Sequence, residues 1–241
     1  MISFIIPAYN ESLLLGGTIA ALCEAAQGLD YEIIVVDDNS SDETAAIARG
    51  MGVRVIQVHK RQIAATRNAG ARAAKGELFF FIDADTRVNR AVIAAALDAV
   101  RSGAVGGGAT VQLDGPLTFY PRLLVAFGNR VCRMTRMAAG CFMFCTRQGF
   151  LATGGFDESY YCTEELVFSR ALKRCGAFVI LQESVLTSGR KLRVYSGWQL
   201  ITMTTSLLLR GPNAFKQRNG LEFWYQRRSE DSQRSQMTEA E

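Results

Sequence analysis

Two carboxylates one residue apart, Asp83 and Asp85 flanking Ala84, follow directly on the apolar run Leu78-Phe79-Phe80-Phe81-Ile82. Such a run, opened by Lys75-Gly76-Glu77, reads as a buried strand. Acids just past its end can face one point in the cleft at the carboxyl edge of a parallel sheet. Held close together there, they repel unless a cation neutralises them. A hard divalent metal with oxygen ligands, shared with a substrate diphosphate, is the natural partner. The plainer alternative is an acidic turn that caps the next helix.

Two further acidic pairs adjoin apolar runs. Asp37-Asp38 closes the apolar run Tyr31 to Val36, and Glu164-Glu165 stands ahead of Leu166-Val167-Phe168. One member of the first pair is expected to cap the helix that follows, which leaves the other to meet a ligand. The second pair is either a catalytic constellation or a helix start that favours negative charge.

These residues need elements to hold them. Ile2 to Pro7 is strand-like, and helical spacing runs from Leu13 to about Leu22. Tyr31 to Val36 is a second buried strand. Asn39-Ser40-Ser41-Asp42 supplies caps for a helix over Glu43 to Arg49. Val53 to Val58 reads as a third strand, the Ala-rich stretch Arg61 to Lys75 as a helix, and Leu78 to Ile82 as the fourth strand. The alternation, with polar residues at each strand's carboxyl end, predicts a doubly wound α/β sheet with its site at the strand ends.

Four segments in this order carry a family resemblance: Phe4 to Glu11, Glu32 to Asp42, Gly76 to Thr86, and Gly154-Gly155-Phe156-Asp157-Glu158 followed by Thr163-Glu164-Glu165. Over about residues 1 to 185 the chain resembles the family 2 glycosyltransferases of GT-A fold. The resemblance implies a Rossmann-like, mixed, mainly parallel sheet flanked by helices. It implies one domain over 1–225, with a donor half at 1–112 and an acceptor half at 113–225, before a disordered tail at 226–241. The implied reaction moves a sugar from a nucleoside diphosphate sugar to an acceptor hydroxyl, with inversion.

Residue roles follow from the same likeness. Pro7, Ala8, Tyr9, Glu11 and Asp38 are expected to hold the nucleotide. Arg67, in a family-like Arg67-Asn68-Ala69-Gly70 segment, either reaches the nucleotide or is a surface helix residue. Asp83, Ala84 and Asp85 form the DXD motif, with Asp85 and Asp83 as ligands of Mn²⁺ or Mg²⁺. Glu165 stands where the family carries an aspartate base, and that departure keeps Glu164 in contention. Arg190 and Lys191, in a basic turn after the strand-like run Phe178 to Leu181, either close over the diphosphate or form a solvated loop. The QxxRW motif of processive members is missing: Gln226-Arg227-Arg228-Ser229 has no matching Arg-Trp. Single-sugar transfer is therefore expected.

Composition sets the outer bounds. With 241 residues, 49% hydrophobic content and a net charge of +4, the chain can build one sizeable core, and its bulk charge does not argue for nucleic acid. The charge is unevenly spread. No acid occurs between Asp114 and Asp157, or between Glu183 and Glu222, while arginines and lysines recur in both stretches. Diphosphates, lipid phosphates and anionic membranes suit such stretches. Six cysteines without a CxxC pair read as reduced thiols of a cytosolic protein, and His59 as a loop residue. Met1 leads straight into a strand, and the run Leu200 to Leu209 is too short and too broken to span a membrane.

Residues 117 to 137 carry a further pattern. Leu117, Tyr120, Leu124, Phe127, Val131 and Met134 share one stripe at about 100° per residue, and Arg122, Arg130, Arg133 and Arg136 fall on the other side. Either this helix packs its stripe into the core, or it lies at a membrane and meets a lipid-linked acceptor. A sugar nucleotidyltransferase is disfavoured because Ala8 to Ser12 is not a Gly-rich basic loop. A dehydrogenase is disfavoured because no GxGxxG follows the first strand. A non-catalytic nucleotide-binding module at a membrane surface stays open.

Overall fold

The computed structural model describes residues 1–115 and 119–190. Eight strands form one sheet in the order β3-β2-β1-β4-β7-β6-β8-β5. The first half is a parallel α/β unit: β1 (Ile2–Ala8), α1 (Ser12–Ala25), β2 (Tyr31–Asp37), α2 (Thr44–Gly50), β3 (Arg54–Gln57), α3 (Ile63–Ala73) and β4 (Leu78–Ile82). There β1 pairs in parallel with both β2 and β4. The second half adds β5 (Thr86–Arg87), α4 (Arg90–Arg101), β6 (Ala104–Leu113), α5 (Phe119–Thr135), β7 (Phe142–Thr146), α6 (Arg147–Thr153), α7 (Glu164–Cys175) and β8 (Ala177–Thr187). β7 joins the halves, running antiparallel to both β4 and β6.

Strands β1, β2 and β4 are apolar at nearly every position because both faces are covered. Phe4, Ile6, Val35, Phe80 and Ile82 meet Leu15, Ile19 and Leu22 of α1 and Val92 and Ile93 of α4 on one face. The alternate residues Ile5, Ile34, Val36, Phe79 and Phe81 meet α3, α6 and α7 on the other, with Phe150, Phe168 and Leu172 among their partners. A two-residue side-chain period thus feeds two cores from one sheet. The Cys23, Cys132, Cys141, Cys145, Cys162 and Cys175 thiols are all free.

The expected early elements all form, with β4 matched at both ends and the other bounds shifted by three residues or fewer. Strand β6, which carries Gly106-Gly107-Gly108, lies outside the elements expected from the sequence. Its glycines answer to packing. A Cβ on Gly106 would lie 2.7 Å from the Phe144 carbonyl oxygen, one on Gly107 2.6 Å from the Phe144 ring, and one on Gly108 2.5 Å from the Ala138 methyl. Only bare backbone lets β6 sit between its neighbours there.

Gly107→Ala therefore overpacks the sheet and is expected to destabilise by about 3 kcal/mol. Gly50→Ala, inside α2 with nothing within 4 Å of the added carbon, should stabilise by about 0.5–1 kcal/mol. Urea unfolding of the two variants beside the wild type checks both signs.

Candidate active site

The carboxyl ends of β1, β2 and β4 open on one cleft, and α3 drives a buried arginine into its floor. The Arg67 side chain is 1% exposed. Its Nη1 donates to Glu164 Oε1 at 2.7 Å, and its Nη2 donates to Asp83 Oδ1 at 2.9 Å and to the Gly140 carbonyl at 2.7 Å. One guanidinium thus fastens the end of β4, the start of α7 and the loop before β7. Only its Nε lacks a hydrogen-bond partner among the described residues. Burial alone would lower its pKa, but the charges of Asp83, Glu164 and Glu165 hold it above the ordinary value.

The neighbours of Arg67 explain the rest of its segment. Asn68 donates through Nδ2 to the Phe156 carbonyl and Glu158 Oε1, and its Oδ1 accepts from Phe156 N–H at 2.9 Å. Gly70 lies so close to Ile5 and Val36 that a Cβ would strike both side chains. The segment therefore seats α3 on the sheet, clamps the Gly155-Phe156 turn and delivers the arginine. Asn68 had no assigned role in the sequence. Its contiguity with Arg67 and Gly70 was the available signal.

Glu164 and Glu165 open α7 behind Thr163, whose φ of 65° is left-handed. A β-branched residue there is strained, a feature that clusters at functional sites. Glu164 is buried and spent on Arg67. Glu165 is half-buried, and the 140 loop packs against it so closely that a Cβ on Gly140 would lie 3.3 Å from its carboxyl carbon. Burial first, then the charge on Glu164, pushes the Glu165 carboxyl from the ordinary 4.5 up to about 8, with Arg67 pulling the other way. Glu164 is thereby paired with the Arg67 guanidinium, while Glu165 beside it holds its proton near neutral pH.

On the donor side, Arg190 bridges the remaining acids. Its Nη2 donates to Glu11 Oε2 at 2.6 Å and to Asp85 Oδ2 at 3.2 Å. Ser188 N–H holds the Asp85 carbonyl, and Asp114 Oδ1 holds Gly189 N–H. The expected basic turn is thus docked against the motif acids. Its neighbour Lys191 lies outside the described residues. Tyr9 is 38% exposed at the cleft with the Arg61 guanidinium 4.0 Å above its ring.

Three expectations need correction. Asp38 does not face a ligand: it is buried and accepts from Lys60 N–H, Gln62 N–H and the Thr66 hydroxyl, so it holds the loop that carries Arg61. Its neighbour Asp37 accepts from Ser40 N–H, and neither caps α2. Ala84 turns its methyl into the core, and its carbonyl accepts from the Thr18 hydroxyl. Pro7 and Ala8 lie inside β1, and the Ala8 carbonyl is taken by Asp38 N–H. The cleft-facing groups of that edge are Tyr9, Glu11, Asp83 and Asp85. Helix α5 also departs from the core-packing option: Leu124, Phe127, Val131 and Met134 are exposed. Pro121 falls in its first turn, where the missing N–H is tolerated.

Asp83 and Asp85 fit a hard divalent ion in donor chemistry. Among the described residues no group of three or more acid, histidine or cysteine side chains clusters as a metal site. An ion held by this pair would take further oxygen ligands, such as phosphate oxygens and water.

The model of the family described as glycosyl transferase family 2 matches residues 3–151. The chain belongs to this family. It is 36% identical over 107 residues to a dolichol-phosphate mannosyltransferase of Pyrococcus furiosus, covering 42% of this chain and 30% of that protein. It is 28% identical over 207 residues to the succinoglycan biosynthesis protein ExoO of Rhizobium meliloti, covering 78% of this chain and 57% of that one. The first of these matches thus spans under a third of the relative's length. In structure the chain is similar to the mannosyltransferase PcManGT of Pyrobaculum calidifontis, solved with GDP-Man and Mn²⁺ (TM-score 0.66, 21% identity, 89% of this chain and 66% of that one). It is likewise similar to S. aureus TarS solved with UDP-GlcNAc (TM-score 0.62, 19% identity, 78% and 58%). These likenesses establish the GT-A fold.

The Glu165 shift has a sign that stability reports. Below 4.5 both folded and unfolded chains hold the proton; between 4.5 and about 8 the unfolded chain releases it and the folded chain keeps it. Stability contributed by this group is full at low pH and is lost as pH rises towards 8. Denaturant midpoints measured across that window should fall with pH in the wild type and fall less steeply in Glu165→Gln.

Proposed function

We propose that the chain transfers one sugar at a time, with inversion, from a nucleoside diphosphate sugar to an acceptor hydroxyl. The observation that carries this reading is the Arg67 junction, which sets the motif acid Asp83 and the paired acids Glu164 and Glu165 around one cleft. Donor-side and acceptor-side chemistry then meet at a fixed distance, and holding reactants in register is a large part of catalysis.

In this reading Tyr9 offers a face to the nucleobase, with Arg61 yielding its place over the ring. Asp83 and Asp85 would hold a divalent cation, which neutralises charge on the departing diphosphate when bound. Arg190, now bonded to Glu11 and Asp85, would release them to such a cation and turn its charge to the diphosphate. Glu165 takes the proton of the acceptor hydroxyl while that oxygen attacks the anomeric carbon. The bond from this carbon to the β-phosphate oxygen breaks in the same displacement. Glu164 and Arg67 position the base and keep it desolvated. Because Glu165 titrates at about 8, its transfer-competent anion grows as pH rises towards that value.

Names of relatives support the substrate classes. One relative, 41% identical over 100 residues, is an undecaprenyl-phosphate 4-deoxy-4-formamido-L-arabinose transferase, and the P. furiosus relative is named for dolichol phosphate. With the nucleotide sugars and Mn²⁺ of the structural neighbours, they support a nucleotide-sugar donor, a divalent cation and a lipid-linked acceptor. We place the work at the cytoplasmic face of a membrane. No helix among the described residues is long and apolar enough to cross one.

Glu165→Gln keeps shape and hydrogen bonding but removes the proton acceptor. It should lower turnover roughly a hundredfold or more with donor affinity little changed. Asp85→Ala should abolish metal-dependent nucleotide stabilisation in a thermal-shift series with nucleoside diphosphates and Mn²⁺ or Mg²⁺. Full turnover in excess EDTA would sink the metal assignment, and normal turnover of Glu165→Gln would move the base elsewhere.

A further inference from the structure

Helix α5 is fastened to the protein by a narrow polar seam. Asn129 donates through Nδ2 to the Val111 carbonyl and accepts from Val111 N–H, both at under 3 Å. Val125, Gly128 and Cys132 share that side and are half-buried. The stripe on the far side is turned to solvent: Phe127 is 66% exposed and Met134 75%, with Leu123, Leu124 and Val131 beside them. Five large apolar side chains in one outward row are far more than scattered surface residues.

The arginine side of the helix, which meets that row at Arg130, decides what covers it. Arg122, Arg130, Arg133 and Arg136 are all exposed, and no acid occurs from residue 115 to 156. Pairing two copies through this face would set arginines against arginines. A surface with apolar depth and anionic headgroups satisfies both the stripe and the arginine side.

The helix also has a telling address. Its C-terminal end is bound to α7, the helix that carries Glu165: Lys173 Nζ donates to the Thr135 carbonyl and Ser169 Oγ accepts from Ala138 N–H. Five residues past Thr135, the chain reaches Gly140, whose carbonyl holds Arg67 and whose Cα packs on the Glu165 carboxyl. From the apolar row, exposed among the described residues, the arginine side next to it and this position we infer that α5 docks on an anionic lipid surface. Docking lays the acceptor side of the cleft against the membrane. The second step rests on the reading of Glu165 as the acceptor-side base; the first does not.

The test uses the full chain and phosphatidylcholine vesicles with and without phosphatidylglycerol, sedimented at low and high salt. The wild type should sediment with the anionic vesicles and lose most of that binding at high salt. Arg130→Glu with Arg133→Glu should weaken it by about tenfold or more. Phe127→Ser with Met134→Ser should weaken it at low salt while leaving the thermal midpoint unchanged. Equal partitioning of wild type and charge variant overturns the proposal. So does a thermal midpoint that drops in Phe127→Ser with Met134→Ser, because the row is then covered by the chain itself. A concentration-dependent dimer that the same variant abolishes overturns it too, in favour of a second copy. None of these readouts uses turnover, so their failure leaves the assignment of Glu165 standing, and an inactive base assignment leaves them standing.

Discussion

A guanidinium with 1% of its surface in water is the constraint on which the rest of this structure depends. Burying a lone cation costs several kcal/mol, and only close, well-directed partners offset that. Arg67 finds them in three places far apart in the chain: Asp83 at the end of β4, the Gly140 carbonyl before β7, and Glu164 at the head of α7. The contacts with Gly140 and Glu164 form only when both halves of the sheet have assembled. Gly70, pressed on Ile5 and Val36, sets how deep α3 sits, and Asn68 ties down the Gly155-Phe156 turn. The same four-residue segment therefore fixes helix depth, loop path and site charge.

That single cation also sorts the acids. Glu164 is held charged by direct contact, and Asp83 is steadied at the mouth of the cleft. Glu165, next in sequence, is shielded by the 140 loop and faces the charge of Glu164, so its pKa climbs to about 8. A second arginine, Arg190, repeats the arrangement on the donor side between Glu11 and Asp85. The cleft thus keeps four acids close together through two arginines: one buried for good, the other on a turn at the end of β8, where it can exchange partners. An acid cluster balanced this way holds its carboxylates in place ahead of a polyanionic substrate and its cation.

The sequence made the parallel half of the fold readable, because β1, β2 and β4 are unbroken apolar runs that end in polar turns. It hid β6, where Gly106-Gly107-Gly108 is there to admit the Phe144 and Ala138 neighbours, which only a three-dimensional packing reveals. Asp83, Asp85 and Glu165 stood out as acids at a strand end and a helix start, and the first two lie beside Arg67 and Arg190. Asp38 and Ala84 misled: they sit inside motif segments, yet their partners lie in the 60–66 loop and on Thr18, and neither the direction of a side chain nor a hydrogen-bond partner is written in one dimension. The periodicity of α5 showed an apolar stripe and an arginine side. Neither of them meets the sheet: Asn129 does, through its two hydrogen bonds to Val111.

The most direct test of this account is a double-mutant cycle for unfolding on Arg67→Met and Glu164→Gln. Removing the arginine alone strands a buried carboxylate, so Arg67→Met should cost about 3–5 kcal/mol. Neutralising its partner should return much of that loss, with a coupling of about 2 kcal/mol or more between the two sites. If the double variant is instead as unstable as the sum of the single ones, Arg67 and Glu164 do not depend on each other, and the buried arginine is not what holds the site together.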